Sequence, residues 1–394
     1  MQRRGFLKAS AAAAGALALG PMRWAHAQSG RAPQQAGEGQ VRITDIKLFT
    51  PGRLILRIDT DAGVSGWGEV NIFTPVIGQA IAKTYKPLLV GMDPTRIEHI
   101  WQLLHRAHRN MRGGLAFASV IGGIDIALWD ILGKLTEMPL YRLLGGPCRN
   151  RIRRYPGKSS WKQTTHRLHR MVETPMPIDA IVHDVAKTRE KLGPNGFLML
   201  DGHGKFTAQA AVQLAKKVEP YDVLFFEEVV PPENNADLVR VKRATTVPLA
   251  AGERMATIWP FRQVLEDQAV DVLNPDIVQL GGVSQLTKLA GIAELYDVPL
   301  APHSTHSEIA LAASLHVAAS INNFLIHEAY QQKNSWAKGL DWSAPDHFAL
   351  PAGAGLGVQV DQDALQAASD AWQKGDRKGL KKAYFLNDGS VADR

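Results

Sequence analysis

The sequence predicts an α/β protein, a closed (β/α) barrel preceded by a smaller α+β module. Three observations predict it. Six short apolar runs, each ending in a polar residue, alternate with helical segments between about residues 154 and 330. Their spacing is near 25 residues, one strand and one helix per unit, which favours a closed barrel over an open sheet. The stretch before them carries strands first and helices afterwards, the order of a separate α+β unit.

The N-terminus comes first. Arg3-Arg4-Gly5-Phe6-Leu7-Lys8 precedes an Ala-rich apolar stretch to Gly20, then Ala25-His26-Ala27, the small-x-small pattern of a signal-peptidase site. The apolar run is too short to span a bilayer. The paired arginines resemble a twin-arginine signal, so residues 1–27 are expected to be an export signal, leaving a periplasmic protein with no membrane anchor. Residues 28–40, rich in Gln and Gly, read as a linker.

The module at 41–150 shows alternation at 54–58, a turn at Asp61-Ala62-Gly63, and a second strand through Trp67-Gly68-Glu69. Helical periodicity follows over 77–89, 95–106 and 115–134. The barrel is expected over 151–341, with strands at 197–201, 223–227, 247–253, 272–276, 298–303 and 324–328. Helices are expected near 207–218, 234–244, 258–268, 284–295 and 308–320. The turn-rich tail, 342–394, reads as a return segment packing on the N-terminal module.

Composition narrows the functions. The 394 residues are 45% hydrophobic and 21% charged, an ordinary globular balance. The formal charge is +7, and removing Arg3, Arg4, Lys8 and Arg23 with the signal leaves +3. No basic run with interleaved aromatics predicts nucleic-acid binding. Cys148 stands alone, which excludes an internal disulfide and any multi-cysteine metal site.

The chemistry lies at the strand ends. All six barrel runs finish in an acid or histidine: Asp201, Glu227, Glu253, Asp276, His303 and Glu328. In a (β/α) barrel those ends form the active-site face. Like charges gathered there repel, and a divalent cation is the simplest offset. Asp201 and Glu227 are 26 residues apart, as are Glu227 and Glu253, so three carboxylates sit on adjacent strands. Hard oxygen ligands without cysteine suit one Mg²⁺. Asp276 and His303 end consecutive strands; a carboxylate beside an imidazole orients it as a general base. His203, two residues past Asp201 and on the same side by strand alternation, is a candidate proton donor to a leaving group.

These residues resemble the enolase superfamily, in its mandelate racemase and sugar-acid dehydratase branch. The match is carried by Gly122-Gly123-Ile124-Asp125-Ile126-Ala127-Leu128-Trp129-Asp130-Ile131 with Pro139-Leu140-Tyr141-Arg142-Leu143-Leu144-Gly145-Gly146. Glu227-Glu228, Gly252-Glu253, Asn274-Pro275-Asp276 and Gly281-Gly282 add to it. The resemblance implies a modified TIM barrel of (β/α)7β type with a capping domain completed by the C-terminal tail. It implies magnesium on Asp201, Glu227 and Glu253, a base dyad of Asp276 and His303, and Glu328 hydrogen-bonded to substrate or enolate. The Asp201-x-His203 arrangement is similar to that of galactonate and mannonate dehydratases. The sequence departs from the family in two places. No strand bearing Lys-x-Lys precedes Asp201, which argues against racemisation and leaves barrel strand two unplaced. Val229 stands where proline is usual.

The implied reaction is dehydration of a sugar-acid carboxylate. His303 removes the α-proton, an ene-diolate stabilised by the metal forms, and His203 protonates the departing β-hydroxyl to give a 2-keto-3-deoxy acid. A cycloisomerase or epimerase would share the intermediate, and a non-catalytic periplasmic binding protein is the alternative of another class. Loops near 71–74 and 111–114 are lid candidates. Lys158, Trp161 and Trp336 are pocket candidates. Relatives being oligomeric, a homo-oligomer is expected.

Overall fold

A 21-residue helix, Leu115–Leu135, is the hub on which the N-terminal part of the chain is assembled. It lies directly against a three-stranded antiparallel sheet, β1 (Ile43–Phe49), β2 (Leu54–Thr60) and β3 (Ser65–Val70). Glycines permit that approach. A Cβ on Gly68 would meet the carbonyl oxygen of Gly123 at 1.9 Å, and one on Gly66 would meet that of Ala127 at 2.0 Å. Two further helices, α1 (Pro75–Leu89) and α2 (Ile97–Ala107), complete the module, and the hub helix is α3. The length and apolarity of α3 match a membrane span, yet most of that stretch is buried inside the protein. The structure is a computed structural model and describes residues 41–70, 75–107, 109–155, 178–330, 336–375, 384–385 and 391–392.

The two expected strands, here β2 and β3, and the three helices are all present, within about two residues at each end. β1 was not expected. Its burial repeats every third residue and its sequence interleaves Thr44, Asp45 and Lys47, so no period of two is visible.

Beyond a short helix, α4 (Leu140–Leu143), and strand β4 (Arg151–Arg153) the parallel sheet begins. Four strands pair in parallel in chain order, β5 (Met199–Asp201), β6 (Phe225–Glu227), β7 (Leu249–Ala251) and β8 (Val272–Leu273). Single parallel bridges carry the sheet onward, from Leu273 to Leu300, from Leu300 to Phe324, and from His327 back to Arg154. That path is the curved wall of the (β/α) barrel.

Both faces of this wall are apolar, which is why the runs read as continuous rather than alternating. Tyr155, Met199, Phe225, Ala250, Val272, Ala301 and Ile326 form one buried cluster inside it. Their neighbours Leu200, Phe226, Leu249, Leu273 and Leu300 belong to a larger cluster shared with the surrounding helices. Each fully buried Leu or Phe contributes about 1.5–3 kcal/mol over an exposed one.

The covering helices follow the strands: α5 (Ile178–Leu192), α6 (Ala208–Val218), α7 (Asn235–Lys242), α8 (Trp259–Glu266), α9 (Ile277–Leu280), α10 (Val283–Glu294) and α11 (Glu308–Ser320). Side-chain caps start several of them. Thr207 accepts from the Ala210 N–H, and Ser307 from the Ile309 N–H, each at 3.3 Å. α5 was not expected; its buried positions are only Ile178, Ile181 and Val185 among charged residues.

The tail touches both parts of the molecule. Strand β9 (Ala337–Lys338) pairs with a later strand, β11 (Gln359–Val360), while β10 (His347–Ala349) pairs with β4 beside the barrel. Helix α12 (Gln362–Lys374) then reaches the module, where Ser369 Oγ accepts from the Thr50 N–H at 3.0 Å. The signature motif is the junction of these parts. Asp130 accepts from the backbone N–H groups of Trp67 and Leu356, and Asp125 from the N–H and Oγ of Ser284.

The candidate active site

Strand alternation delivers the site. Asp201, Glu227, His303 and Glu328 each stand two residues beyond a side chain that faces the barrel interior, namely Met199, Phe225, Ala301 and Ile326. With a period of two they turn the same way, into the mouth. Asp201 and Glu227 are direct register partners across β5 and β6. Glu253 breaks the parity, lying three residues past the interior Ala250. Gly252 between them, at φ +146°, makes the turn that this needs.

The acids crowd one another. Glu227 is 7% exposed. Its carboxyl is pushed well above the ordinary range by burial first and then by Asp201 and Glu253. Glu253 is raised by burial and by Asp201, although His303 opposes this. Glu228, which follows Glu227 in a left-handed conformation (φ 44°), turns aside to Arg254, whose Nε donates to it at 2.6 Å.

His303 is where the groups meet. Its Nδ1 donates to Asp276 Oδ2 at 2.9 Å, and its Nε2 lies 3.4 Å from Glu253 Oε2 and 3.6 Å from Glu328 Oε2. Burial alone would lower the proton affinity of this imidazole. Glu253, Glu328 and Asp276 outweigh burial and raise it well above the usual histidine range. Asp276 caps α9, its Oδ1 accepting from the N–H groups of Val278 and Gln279. Two histidines overcome the penalty of its burial and hold its carboxyl far below the ordinary value. Glu328 is fixed by the Ser304 N–H, which donates to its Oε2 at 3.0 Å, and burial raises its carboxyl.

His203 occupies a left-handed backbone position (φ 47°) after the strand end. Its backbone N–H and its Nε2 both engage Asp201, at 2.9 and 3.1 Å. The imidazole is thus on the rim beside the acids, a third exposed.

Magnesium has a fitting donor set here: three hard carboxylates whose mutual repulsion a dication relieves. Among the described residues no group of three acid, histidine or cysteine side chains stands in coordinating geometry.

The pocket candidates divide differently. Lys158 and Trp161 lie outside the described residues, as do the rest of 156–177 and the loop at 71–74. Trp336 is 6% exposed and belongs to the large hydrophobic cluster that also contains Leu356 and Leu365 of the tail.

Two residues at the site escaped the sequence reading. His306 is fully buried, with its Nε2 2.8 Å from Asp276 Oδ2. Glu69, on β3, is equally buried and faces the same segment. The only sequence signal was the His303-x-x-His306 spacing.

A (β/α) barrel with acids and an Asp–His pair at its strand ends, covered by an α+β module, is the architecture of a carbon-acid enzyme. The chain belongs to the mandelate racemase / muconate lactonizing enzyme family. Its N-terminal domain matches residues 50–145, and the enolase C-terminal domain-like family matches residues 158–364. A D-galactonate dehydratase from Variovorax paradoxus is 36% identical over 372 residues, covering 84% of this chain and 94% of that protein. One from Xanthomonas oryzae is 36% identical over 90% of this chain and all of its own length. Among solved structures, the 3,6-anhydro-D-galactonate cycloisomerase from Zobellia galactanivorans superposes with a TM-score of 0.74 at 26% identity. It covers 83% of this chain and 99% of its own. A mandelate racemase/muconate lactonizing enzyme-like protein from Rubrobacter xylanophilus gives 0.76 at 27%, over 84% and 98%.

Proposed function

We propose that this enzyme, a sugar-acid hydro-lyase, dehydrates D-galactonate or a closely similar aldonate, uses magnesium held by Asp201, Glu227 and Glu253, and works in the periplasm after twin-arginine export. The observation that carries the reading is the seat of His303. Its Nδ1 is committed to Asp276, so Nε2 alone faces the strand-end acids where a substrate carboxylate would be held. The relatives named D-galactonate dehydratase support the substrate class.

Bound magnesium would supply the positive charge that stabilises the ene-diolate formed when the α-proton leaves. The remaining chemistry belongs to the side chains. His303 Nε2, the ring nitrogen not bonded to Asp276, accepts the C2 proton. Asp276 keeps the imidazole in the tautomer that presents Nε2. Glu328, held by the Ser304 N–H, hydrogen-bonds the substrate carboxylate or its enolate. His203 gives a proton to the C3 hydroxyl as its bond to carbon breaks, releasing water. The enol that remains takes a solvent proton at C3 and becomes the 2-keto-3-deoxy acid.

The likeness to the cycloisomerase favours a second reading, in which a ring oxygen is the leaving group at the same position. Incubating the magnesium-loaded enzyme with a panel of aldonates, aldarates and 3,6-anhydro acids decides between them. The proposal expects a 2-keto-3-deoxy product from D-galactonate. Turnover of anhydro acids alone would replace it with the second reading.

A further inference from the structure

Asp276 is held through both of its oxygens. Its carboxylate, fully buried, takes four donors: the Val278 and Gln279 N–H groups on Oδ1, and His303 Nδ1 and His306 Nε2 on Oδ2, the last at 2.8 Å. An ionised carboxyl has about four lone-pair sites, so the grip fixes its rotation. His306 in turn has its Nδ1 3.5 Å from Glu69 Oε1, an ion-pair distance. Glu69 is anchored by the Ser307 N–H and Oγ, at 3.0 and 2.5 Å on Oε2, and by Arg53 Nη1 at 3.3 Å. Arg53 also donates to the Thr305 carbonyl.

Charge alternates along this chain. Burial alone would lower the proton affinity of His306; Asp276 and Glu69 outweigh it and raise the imidazole to about 9. A buried cation between two buried anions leaves each with a partner, and removing the middle one strands both. Glu69 and Arg53 belong to the N-terminal module, while Asp276, His303 and His306 belong to the barrel.

We propose that Glu69 and His306 are positioning residues for the catalytic base, so that the capping module, through β3, sets the orientation of Asp276 and thereby of His303. The inference rests on the reading of His303 as the base. Both are fully buried, and the side chains they engage are Asp276, Ser307 and Arg53 rather than Asp201, Glu227 or Glu253. Their loss therefore changes the chemical step and not substrate affinity.

The test uses the full magnesium-loaded enzyme and three variants, His306→Leu, His306→Gln and Glu69→Gln. Gln keeps a donor near the Nε2 position and Leu keeps only bulk. The expected result is a kcat loss of ~10²-fold in His306→Leu with KM unchanged, recovered to within ~10-fold by His306→Gln, and an intermediate loss in Glu69→Gln. A second readout does not depend on turnover. The His303 Nδ1 proton, bonded to Asp276, gives a downfield proton NMR signal identified by its absence in His303→Asn. It should shift or broaden in His306→Leu and in Glu69→Gln while staying near its place in His306→Gln. An unmoved signal in His306→Leu and Glu69→Gln overturns the proposal, whatever happens to activity. Should His306→Leu fail to fold, Glu69→Gln and His306→Gln decide by the same signal. A wild-type enzyme without dehydratase activity would sink the functional reading, and the NMR comparison would still settle this one.

Discussion

Asp276 Oδ2 lies 2.9 Å from His303 Nδ1, and the two residues also form a parallel β-bridge across adjacent barrel strands. Backbone pairing and side-chain bond thus fix the same contact. In Asp276→Asn the amide can still bond the imidazole, but it no longer favours the tautomer that leaves Nε2 open. We expect kcat to fall ~10²–10⁴-fold, the range of one proton-transfer group. C2-proton exchange should fall with it and circular dichroism should be unchanged; exchange that stays fast would separate Asp276 from the base.

His203 and His303 act on different bonds in this account. In His203→Asn, dehydration should drop ~10²-fold or more while exchange of the C2 proton with solvent continues. Deuterium uptake into recovered substrate, read by NMR, checks this. Equal loss of both would remove His203 from the leaving-group role.

The crowded acids make a stability prediction with opposite signs. Glu227→Gln relieves repulsion at a site that is 7% exposed, so without metal the variant should melt above the wild type. Magnesium at ~100 times its dissociation constant should stabilise the wild type by about 2.7 kcal/mol and the variant by far less. Melting curves with EDTA and with added magnesium supply the comparison. Equal stabilisation of both proteins would take Glu227 out of the ligand set.

Asp125, buried at the junction of α3 and α10, carries a proton up to about pH 7, pushed there by burial against its hydrogen bonds to Ser284. The unfolded chain releases that proton near the ordinary value of 3.8. Between those values the folded state binds the extra proton, so the contribution of this group to stability declines as pH rises. Urea melts of wild type and Asp125→Asn at pH 5 and pH 8 should show the wild type losing more stability across the step. Parallel behaviour would place the charge elsewhere.

The barrel was legible because each of its walls is buried on both sides, leaving runs of apolar residues that end abruptly in an acid or histidine. The 26-residue interval from Asp201 to Glu227 is one strand and one helix, so adjacency on the sheet could be read directly. β1 was hidden by its three-residue burial rhythm, and α9 by its single turn. His306 and Glu69 were hidden for a different reason. They are 237 residues apart, and only the packing of β3 against the barrel brings them together.

The most direct test of the central claim is the fate of one proton. D-galactonate incubated in deuterium oxide with magnesium and the wild-type enzyme should give a 2-keto-3-deoxy acid carrying a single deuterium at C3. His303→Asn, or wild type stripped by EDTA, should give none. Product formed at the wild-type rate by His303→Asn, or formed without a divalent ion, would contradict the account.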